Sequence, residues 1–162
     1  MTAVGPDRVA VAGAAGRARP EMLKVSLGYR DGYIGEGQIS YAGAGAVARA
    51  RLAGEIVVAR LAQRGVPRGT VRCDFIGADA LHGPALAASH AAAAPYEVRL
   101  RVTARTERAI EASWVGREVE ALYTNGPAGG GGVIKQSRDV LAIASTFIDR
   151  RLVSCRVTVE VA

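Results

Sequence analysis

The sequence of 162 residues predicts an α/β (α+β) fold, a two-layer sandwich in which two main helices cover one face of a mixed or antiparallel sheet. Two stretches, 46–64 and 106–123, carry apolar side chains at the spacing of an amphipathic helix. Residues 96–104 instead alternate apolar and charged side chains, which is typical of an antiparallel strand with one exposed face. The predicted order is strand, strand, helix, strand, strand, helix and closing strands.

The beginning of the chain, residues 1–21, is predicted to be a flexible arm, followed by a single domain over residues 22–162. The arm is rich in Ala, Gly, Arg and Pro and shows no lasting periodicity. Period-two alternation predicts a first strand at 23–27, and a short second strand is predicted at 38–41. The glycine-punctuated residues 28–37 between them are predicted to form a loop.

The middle of the chain is divided by helix-ending and turn signals. Gly65 is a typical C-cap for the first helix, and Pro67 prevents its continuation. A strand at 71–76 leads into a loop at 77–84 of the kind that carries functional residues. Residues 85–94 are compatible with a short helix.

A glycine-rich tract follows the second helix, whose predicted N-cap is Thr106. Fixing four consecutive glycines, 129–132, costs more backbone entropy than fixing other residues, so such a tract usually marks close approach of the backbone to something. Its N–H groups can bind a phosphate or carboxylate, while a tight corner or a subunit contact is the alternative. A Walker A loop is excluded because Lys135 follows Ile134 and a strand comes next.

The candidate anion-binding residues of this region are Asn125, Gly126, Gly129, Gly130, Gly131, Gly132 and Lys135. The closing strands are predicted at 133–134, 140–148 and 152–161.

Composition and charge argue against several classes of protein. The net charge is +6. The sequence nevertheless contains no run of five like charges and no basic stripe with interleaved aromatics, so nucleic-acid binding is not expected. The sequence has no uninterrupted segment of eighteen apolar residues that could span a membrane, and it has no signal-peptide pattern. A cytoplasmic protein is therefore expected. Cys73 and Cys155, far apart in apolar runs, are expected to be buried free thiols, and no metal-ligand spacing is found.

A possible dinucleotide fingerprint opens the first helix. Gly43-x-Gly45-x-x-Ala48 matches it in letters and in its position between strand and helix. The acidic residue expected about twenty positions later is missing, since Gln63 and Arg64 stand there. Only anion binding by the N–H groups of the helix N-terminus stays open.

Four side chains in the two predicted loops are candidates for chemistry. Asp79 and His82 follow a strand, and His82 can move a proton near neutral pH while Asp79 orients it. The structural alternative is a turn capped by Asp79 with His82 packed against it. In the first loop, Arg30 can hold a carboxylate bidentately and Glu36 can transfer a proton, whereas a hairpin with solvated charges is the alternative.

Three segments together resemble the acyclic terpene utilisation (AtuA-like) protein family: LGYRDGYIGEGQISYAG at 27–43, DFIGADALHG at 74–83 and EVEALYTNGPAGGGG at 118–132. The connecting residues 95–102 are similar as well. The resemblance covers about residues 22–155 and corresponds to the C-terminal half of typical members. It implies a chain without the family's N-terminal region, a split subunit that needs a separately encoded partner.

The resemblance implies catabolism of branched, unsaturated acyl groups as CoA thioesters, with CoA as part of the substrate and no other cofactor indicated. The expected function is therefore that of a subunit of a hydratase, dehydratase or lyase complex. His82 or Glu36 would move the proton, Arg30 would bind a carboxylate, and the glycine N–H groups would hold phosphate or an oxyanion. The alternatives are a non-catalytic subunit that binds a partner chain and a natural-product tailoring protein of the same fold.

Overall fold

The computed structural model describes residues 1–90 and 94–160. These divide into two compact units, one of residues 28–142 and the other of residues 1–27 with the C-terminal residues from Ile143 onward. The fold is mixed α/β, with a two-stranded and a four-stranded antiparallel sheet, so the predicted fold class is confirmed.

The elements in chain order are β1 (Thr2–Gly5), β2 (Arg8–Ala10), β3 (Met22–Ala42), α1 (Ala46–Gln63), β4 (Val71–Ile76), α2 (Gly83–His90), β5 (Glu97–Thr106), α3 (Ala109–Glu120), α4 (Leu122–Asn125) and β6 (Gly130–Asp149). Short 3₁₀ helices lie at Arg68–Thr70 and Arg150–Leu152. The larger sheet has the order β4-β5-β3-β6. β3 and β6 each contribute residues to both units.

The core lies between this sheet and the helices α1 and α3. In the antiparallel register Ile39 of β3 and Phe75 of β4 both stand opposite Leu100 of β5. Opposite residues share a face of the sheet, so alternate residues of each strand face the helices. On this inner face Ile39, Tyr41 and Leu100 are fully buried, and they form one cluster with the apolar residues of α1 and α3.

β3 corrects the predicted loop at 28–37, because a single strand of 21 residues runs through it. Gly35 and Gly37 pair with Ala104 and Val102 of β5 and face α3. A Cβ on Gly35 would overlap the carbonyl oxygen of Ala112, and one on Gly37 would lie 2.6 Å from Val119 Cγ2. These glycines therefore let the helix backbone lie directly on the strand, rather than forming a loop.

Two further elements differ from the prediction near the chain ends. Residues 2–10, predicted to be part of an arm, form an antiparallel hairpin in which Thr2 stands opposite Ala10. Its strands are short and exposed on all sides, so no alternation marked them. The closing strands 133–134 and 140–148 form one strand, β6, whereas residues 153–160 carry no strand.

α1 confirms its predicted range, and Gly65 follows it with a φ of 89°. The N-cap of α3 is Arg108, not the predicted Thr106, which is the last residue of β5 and donates a hydrogen bond to the Arg108 carbonyl. The strand continues two residues further than expected because the β3 partner Tyr33 still pairs with Thr106.

Glu118, only 2% exposed, ties α3 to α1. Its carboxylate accepts hydrogen bonds from Arg60 and from Arg64, the latter at 2.6 Å. Burial by itself raises the pKa of Glu118, but the hydrogen bonds from Arg60 and Arg64 outweigh it, so the net shift of the pKa is downward. Glu118 is therefore ionised in the folded protein and holds the two helices together.

Both cysteines are free, as expected, but only one is shielded. Burial raises the pKa of the Cys73 thiol to about 11, so this thiol stays protonated and unreactive at neutral pH. Cys155 is exposed, contrary to the expectation of burial, because its segment is not part of a sheet. Within the described ranges, no helix has the length and apolar character required to traverse a membrane.

The approach of α3 to β3 predicts a steep difference between two glycines of the same strand. Gly35→Ala should lower the free energy of unfolding by about 3 kcal/mol or more, because the added methyl must push backbone away from backbone. Gly28→Ala is the matched control, since its Cβ would meet nothing within 4 Å. Urea unfolding followed by circular dichroism measures both, and equal effects would contradict the packing described.

Candidate functional site

The outer face of the sheet carries a continuous row of polar side chains. Because Gly37 and Val102 face the helices, their strand neighbours Glu36, Gln38 and Arg101 face the opposite side. The register also places Asp74 of β4 directly opposite Arg101. We call this row, made of Glu36, Gln38, Ser40, Arg72, Asp74, Arg99 and Arg101, the outer-face network.

Arg101 is the centre of the outer-face network. Its guanidinium donates to Glu36 Oε2 at 2.7 Å and to Asp74 Oδ2 at 3.4 Å. The other oxygen of Asp74 accepts from Arg72 Nε at 2.7 Å. One cation on β5 thus bridges two carboxylates on β3 and β4, the strands on either side of it, and each carboxylate has a second hydrogen-bond partner.

The network continues from Glu36 toward the glycine tract. Gln38 Nε2 donates to Glu36 Oε1 at 2.6 Å, and Arg99 Nε donates to Gln38 Oε1 at 2.5 Å. Arg99 also donates to Ser40 Oγ at 3.0 Å and to the carbonyl oxygen of Gly132 at 3.1 Å. Hydrogen bonds therefore connect all four strands of the sheet, from Arg72 on β4 to Gly132 on β6.

The Glu36 carboxylate is ionised at neutral pH, and both of its oxygens accept hydrogen bonds. Its hydrogen bond from Arg101 lowers the pKa, burial opposes this, and the hydrogen bond from Gln38 adds to the lowering. The residue is 4% exposed, shielded by the long polar side chains around it. A carboxylate held in this way is a weak base, so the geometry favours a binding or positioning role over proton transfer.

Within the glycine tract, Gly130 lies against the core. A Cβ on Gly130 would stand 2.7 Å from Ile39 Cδ1 and 3.1 Å from a ring carbon of Tyr41. Gly129 and Gly132 have φ values of 79° and 64°, which side chains rarely adopt. The four glycines predicted that the backbone approaches another group closely. At Gly130 that group is the protein's own core.

Arg49 joins the glycine tract to the start of α1. Its guanidinium donates to the carbonyl oxygens of Ala128 at 2.8 Å, Ala42 at 2.6 Å and Ala44 at 3.1 Å. The backbone groups met here are carbonyl oxygens, which repel anions.

The other candidate residues around the tract have structural partners. Asn125 is the last residue of α4, and the N–H of Gly126 donates to the Leu122 carbonyl. Lys135 Nζ pairs with Glu120 at 2.5 Å. A Cβ on Gly131 would meet nothing within 4 Å, so packing against the described residues does not require a glycine at this position.

The structure separates His82 and Asp79 from Glu36. The Asp79 carboxylate accepts from Arg51 of α1 at 2.7 Å, which ties the turn after β4 to the helix layer. His82 is exposed, and no residue of the ranges 1–90 and 94–160 forms a hydrogen bond or ion pair with its side chain. Glu36 lies on the outer face of the sheet, so the candidate proton-transfer residues are not brought together.

Arg30 occupies a separate position on β3. Its Nε pairs with Asp139 of β6 at 3.2 Å, and both side chains are exposed. Beside it lies an open cavity lined by charged residues of both signs, among them Asp31, Arg105 and Glu111.

No group of three or more His, Cys, Asp or Glu side chains suited to a metal ion exists in the described parts of the chain.

The sequence pattern did not single out Asp74, Arg72, Arg99 or Arg101 as site residues. The available signal was alternation: most outward positions of three predicted strands are polar, and only the strand order aligns them into one row.

Fold and network together define a two-layer α/β protein whose sheet has a charged, hydrogen-bonded outer face. The chain belongs to the acyclic terpene utilisation protein family AtuA, whose family model matches residues 1–159. The resemblance drawn from three motifs is thereby confirmed, and the match includes the N-terminal hairpin. No curated protein and no solved structure matches the chain.

The lowered pKa of Glu36 predicts a pH dependence. A carboxyl with a depressed folded-state pKa stabilises the fold above its unfolded pKa, and this contribution is lost as pH falls through the folded pKa. The free energy of unfolding of Glu36→Gln at pH 7 should therefore be about 1–3 kcal/mol lower than that of the parent. Below pH 5 the variant should lose less of its free energy of unfolding than the parent does. Urea midpoints from pH 7 to 3 measure this. The exposed Glu97→Gln controls for the loss of one negative charge, and an unchanged slope in Glu36→Gln would contradict the assignment.

Removing the hydroxyl group should affect stability differently at two tyrosines, Tyr41 and Tyr123. Tyr41 is fully buried, its hydroxyl has no hydrogen-bond partner among the described residues, and burial raises its pKa. Tyr41→Phe should leave stability unchanged or raise it by up to about 1 kcal/mol. The Tyr123 hydroxyl accepts from Val133 N–H at 3.0 Å, so Tyr123→Phe should cost about 1 kcal/mol. Thermal unfolding of both variants decides; a loss in Tyr41→Phe would mean that its hydroxyl has a partner in solution.

Proposed function

We propose that this chain is a subunit of an AtuA-type enzyme that acts on a small branched or unsaturated acyl group carried as a CoA thioester, in a hydratase, dehydratase or lyase step. Membership of the AtuA family supports involvement in acyclic terpene utilisation. Within that setting, the outer-face network is the observation that carries the proposal, because it presents three arginines on one rigid sheet face.

Arginine suits the phosphate groups of CoA because its planar guanidinium donates two parallel hydrogen bonds. Arg72 is the most available of the three: its side chain is 72% exposed and donates only through Nε to Asp74. Arg101 is held between Glu36 and Asp74 and so holds the face in shape. In this proposal Arg72 and Arg99 contact the anionic part of the substrate, and Glu36 positions Arg101.

A partner subunit completes the site in this proposal. His82 lies in the turn after β4, where Asp79 is held by Arg51, whereas Glu36 lies on the outer face and is a weak base, so His82 and Glu36 do not form an acid–base pair within this chain. The partner would supply proton transfer and cover the outer face, which excludes water from the thioester. His82 keeps a catalytic role only if the partner brings substrate to the turn after β4.

A non-catalytic role is the second candidate, favoured by the complete hydrogen bonding of Glu36 and Asp74. Carboxylates that are already satisfied are typical of a face that positions another molecule. The glycine tract at Gly131 and the outer-face network would then contact a partner chain instead of a ligand.

The binding half of the proposal is tested by calorimetric titration of the chain, copurified with its partner subunit, with CoA. Arg72→Gln should weaken binding about tenfold or more through loss of a charge-assisted contact. Arg68→Gln, an exposed arginine outside the network, should bind as the parent does. Equal affinity in the parent and Arg72→Gln would remove the outer face as the CoA site.

The catalytic half uses the same complex with 3-methylcrotonyl-CoA, a small branched unsaturated thioester, followed by absorbance of the conjugated thioester. Arg72→Gln should raise KM with little change in kcat. If His82→Ala leaves turnover intact, His82 has no role in the reaction. Complete absence of turnover with intact CoA binding would favour the non-catalytic candidate.

A further inference from the structure

The Tyr41 hydroxyl is a buried hydrogen-bond donor that the folded chain does not use. The side chain is fully buried, and its hydroxyl has no partner among the described residues. Native proteins seldom leave a buried hydroxyl in this state, because it has given up its hydrogen bonds to water. Burial raises the pKa of Tyr41, although the charge of Arg49 opposes this, so the hydroxyl keeps its proton at neutral pH.

The backbone of Gly130 covers the end of the ring that carries this hydroxyl. A Cβ on Gly130 would stand 3.2 Å from Cζ of Tyr41, the carbon to which the hydroxyl is bonded. Gly130 begins β6, which is terminal in the strand order of the larger sheet within the described ranges. We call residues 127–132 the glycine strap. The φ values of Gly129 and Gly132 depart from strand geometry, and the end of such a strand is where local opening is easiest.

Side-chain hydrogen bonds at the surface fasten the glycine strap at both ends. At one end Arg49 Nη1 donates to the carbonyl oxygen of Ala128 at 2.8 Å. At the other end the Val133 N–H donates to the Tyr123 hydroxyl at 3.0 Å. Exposed hydrogen bonds of this kind are each weak, because water replaces them readily. The strap is therefore held closed by contacts that a ligand can exchange.

We propose that the glycine strap opens to admit the carbonyl oxygen of a small ester or thioester, which accepts hydrogen bonds from the Tyr41 hydroxyl and from Arg49 Nη1. The two donors are neighbours, since Arg49 Cζ lies 5.9 Å from the centroid of the Tyr41 ring. Arg49 Nη1 already binds a carbonyl oxygen, that of Ala128, and the ligand oxygen takes its place when the strap leaves. Two converging donors, one of them charged, hold and polarise a carbonyl group.

The surroundings of Arg49 favour a neutral carbonyl group over a carboxylate. Its Nη2 donates to the carbonyl oxygens of Ala42 at 2.6 Å and Ala44 at 3.1 Å. These oxygens carry partial negative charge and repel an anion placed beside them. The choice of an acyl thioester rests on the proposed function, whereas the preference for a neutral carbonyl oxygen rests on this geometry.

Opening is tested by the rate at which N-acetylimidazole acetylates Tyr41 in the purified chain, mapped by mass spectrometry with the exposed Tyr29 as reference. Tyr123→Phe removes one fastening and should raise this rate about threefold or more. Thr70→Ala loses a hydrogen bond at the far end of the sheet from Tyr41 and should keep the parent rate. Equal rates in the two variants, or no acetylation of Tyr41 in either, would overturn the opening of the strap.

The ligand is tested with the N-acetylcysteamine thioester of 3-methylcrotonate, which has the thioester without the phosphates of CoA. At millimolar concentration it should slow acetylation of Tyr41 in the parent about threefold or more, whereas sodium 3-methylcrotonate should not. Arg49→Gln should lose this protection with unchanged circular dichroism. In calorimetric titration Tyr41→Phe should bind the thioester about fivefold more weakly than the parent.

The absence of protection in the parent, equal protection by the carboxylate, or equal affinity in Tyr41→Phe would each overturn the proposed site. Thioester binding here without CoA binding at the outer-face network would leave this inference standing and remove only the proposed CoA site. CoA binding without thioester protection would do the reverse.

Discussion

The close contact between α3 and β3 is the constraint on which the rest of the larger unit depends. Gly35 and Gly37 on the strand lack the Cβ atoms that would keep the two backbones apart, and Gly116 on the helix likewise leaves room for Lys135 of β6. This contact sets which residues of β3 face the core. Every second residue then points outward, so the position of Glu36 and Gln38 in the outer-face network follows from glycines on the other side of the strand.

The outer-face network has a different physical character from the core. Ion pairs among partly exposed side chains contribute little to stability one by one, because water screens them and long side chains lose entropy. Glu36 and Asp74 are nevertheless nearly as buried as core residues, each with at least two hydrogen-bond partners. A rigid, satisfied polar surface of this kind is suited to recognition, since its groups are oriented before a ligand or a partner arrives.

Much of the fold was predictable because periodicity depends on local sequence. The apolar stripes of α1 and α3 and the alternation of β5 predicted two helices over an antiparallel sheet. The loop predicted at 28–37 was wrong because glycine has two uses, in turns and in close packing, that look alike in a sequence. The same ambiguity applies to Gly130, which lies against Tyr41.

The sequence by itself determined the fold class, the family and the loop after β4, because each depends on residues that are close together along the chain. Only the tertiary structure decided which polar side chains meet. Arg101 lies 65 residues from Glu36 and 27 from Asp74, and the three come together through the β4-β5-β3 register. Tertiary packing likewise decided that Asp79 pairs with Arg51 of α1 and not with His82.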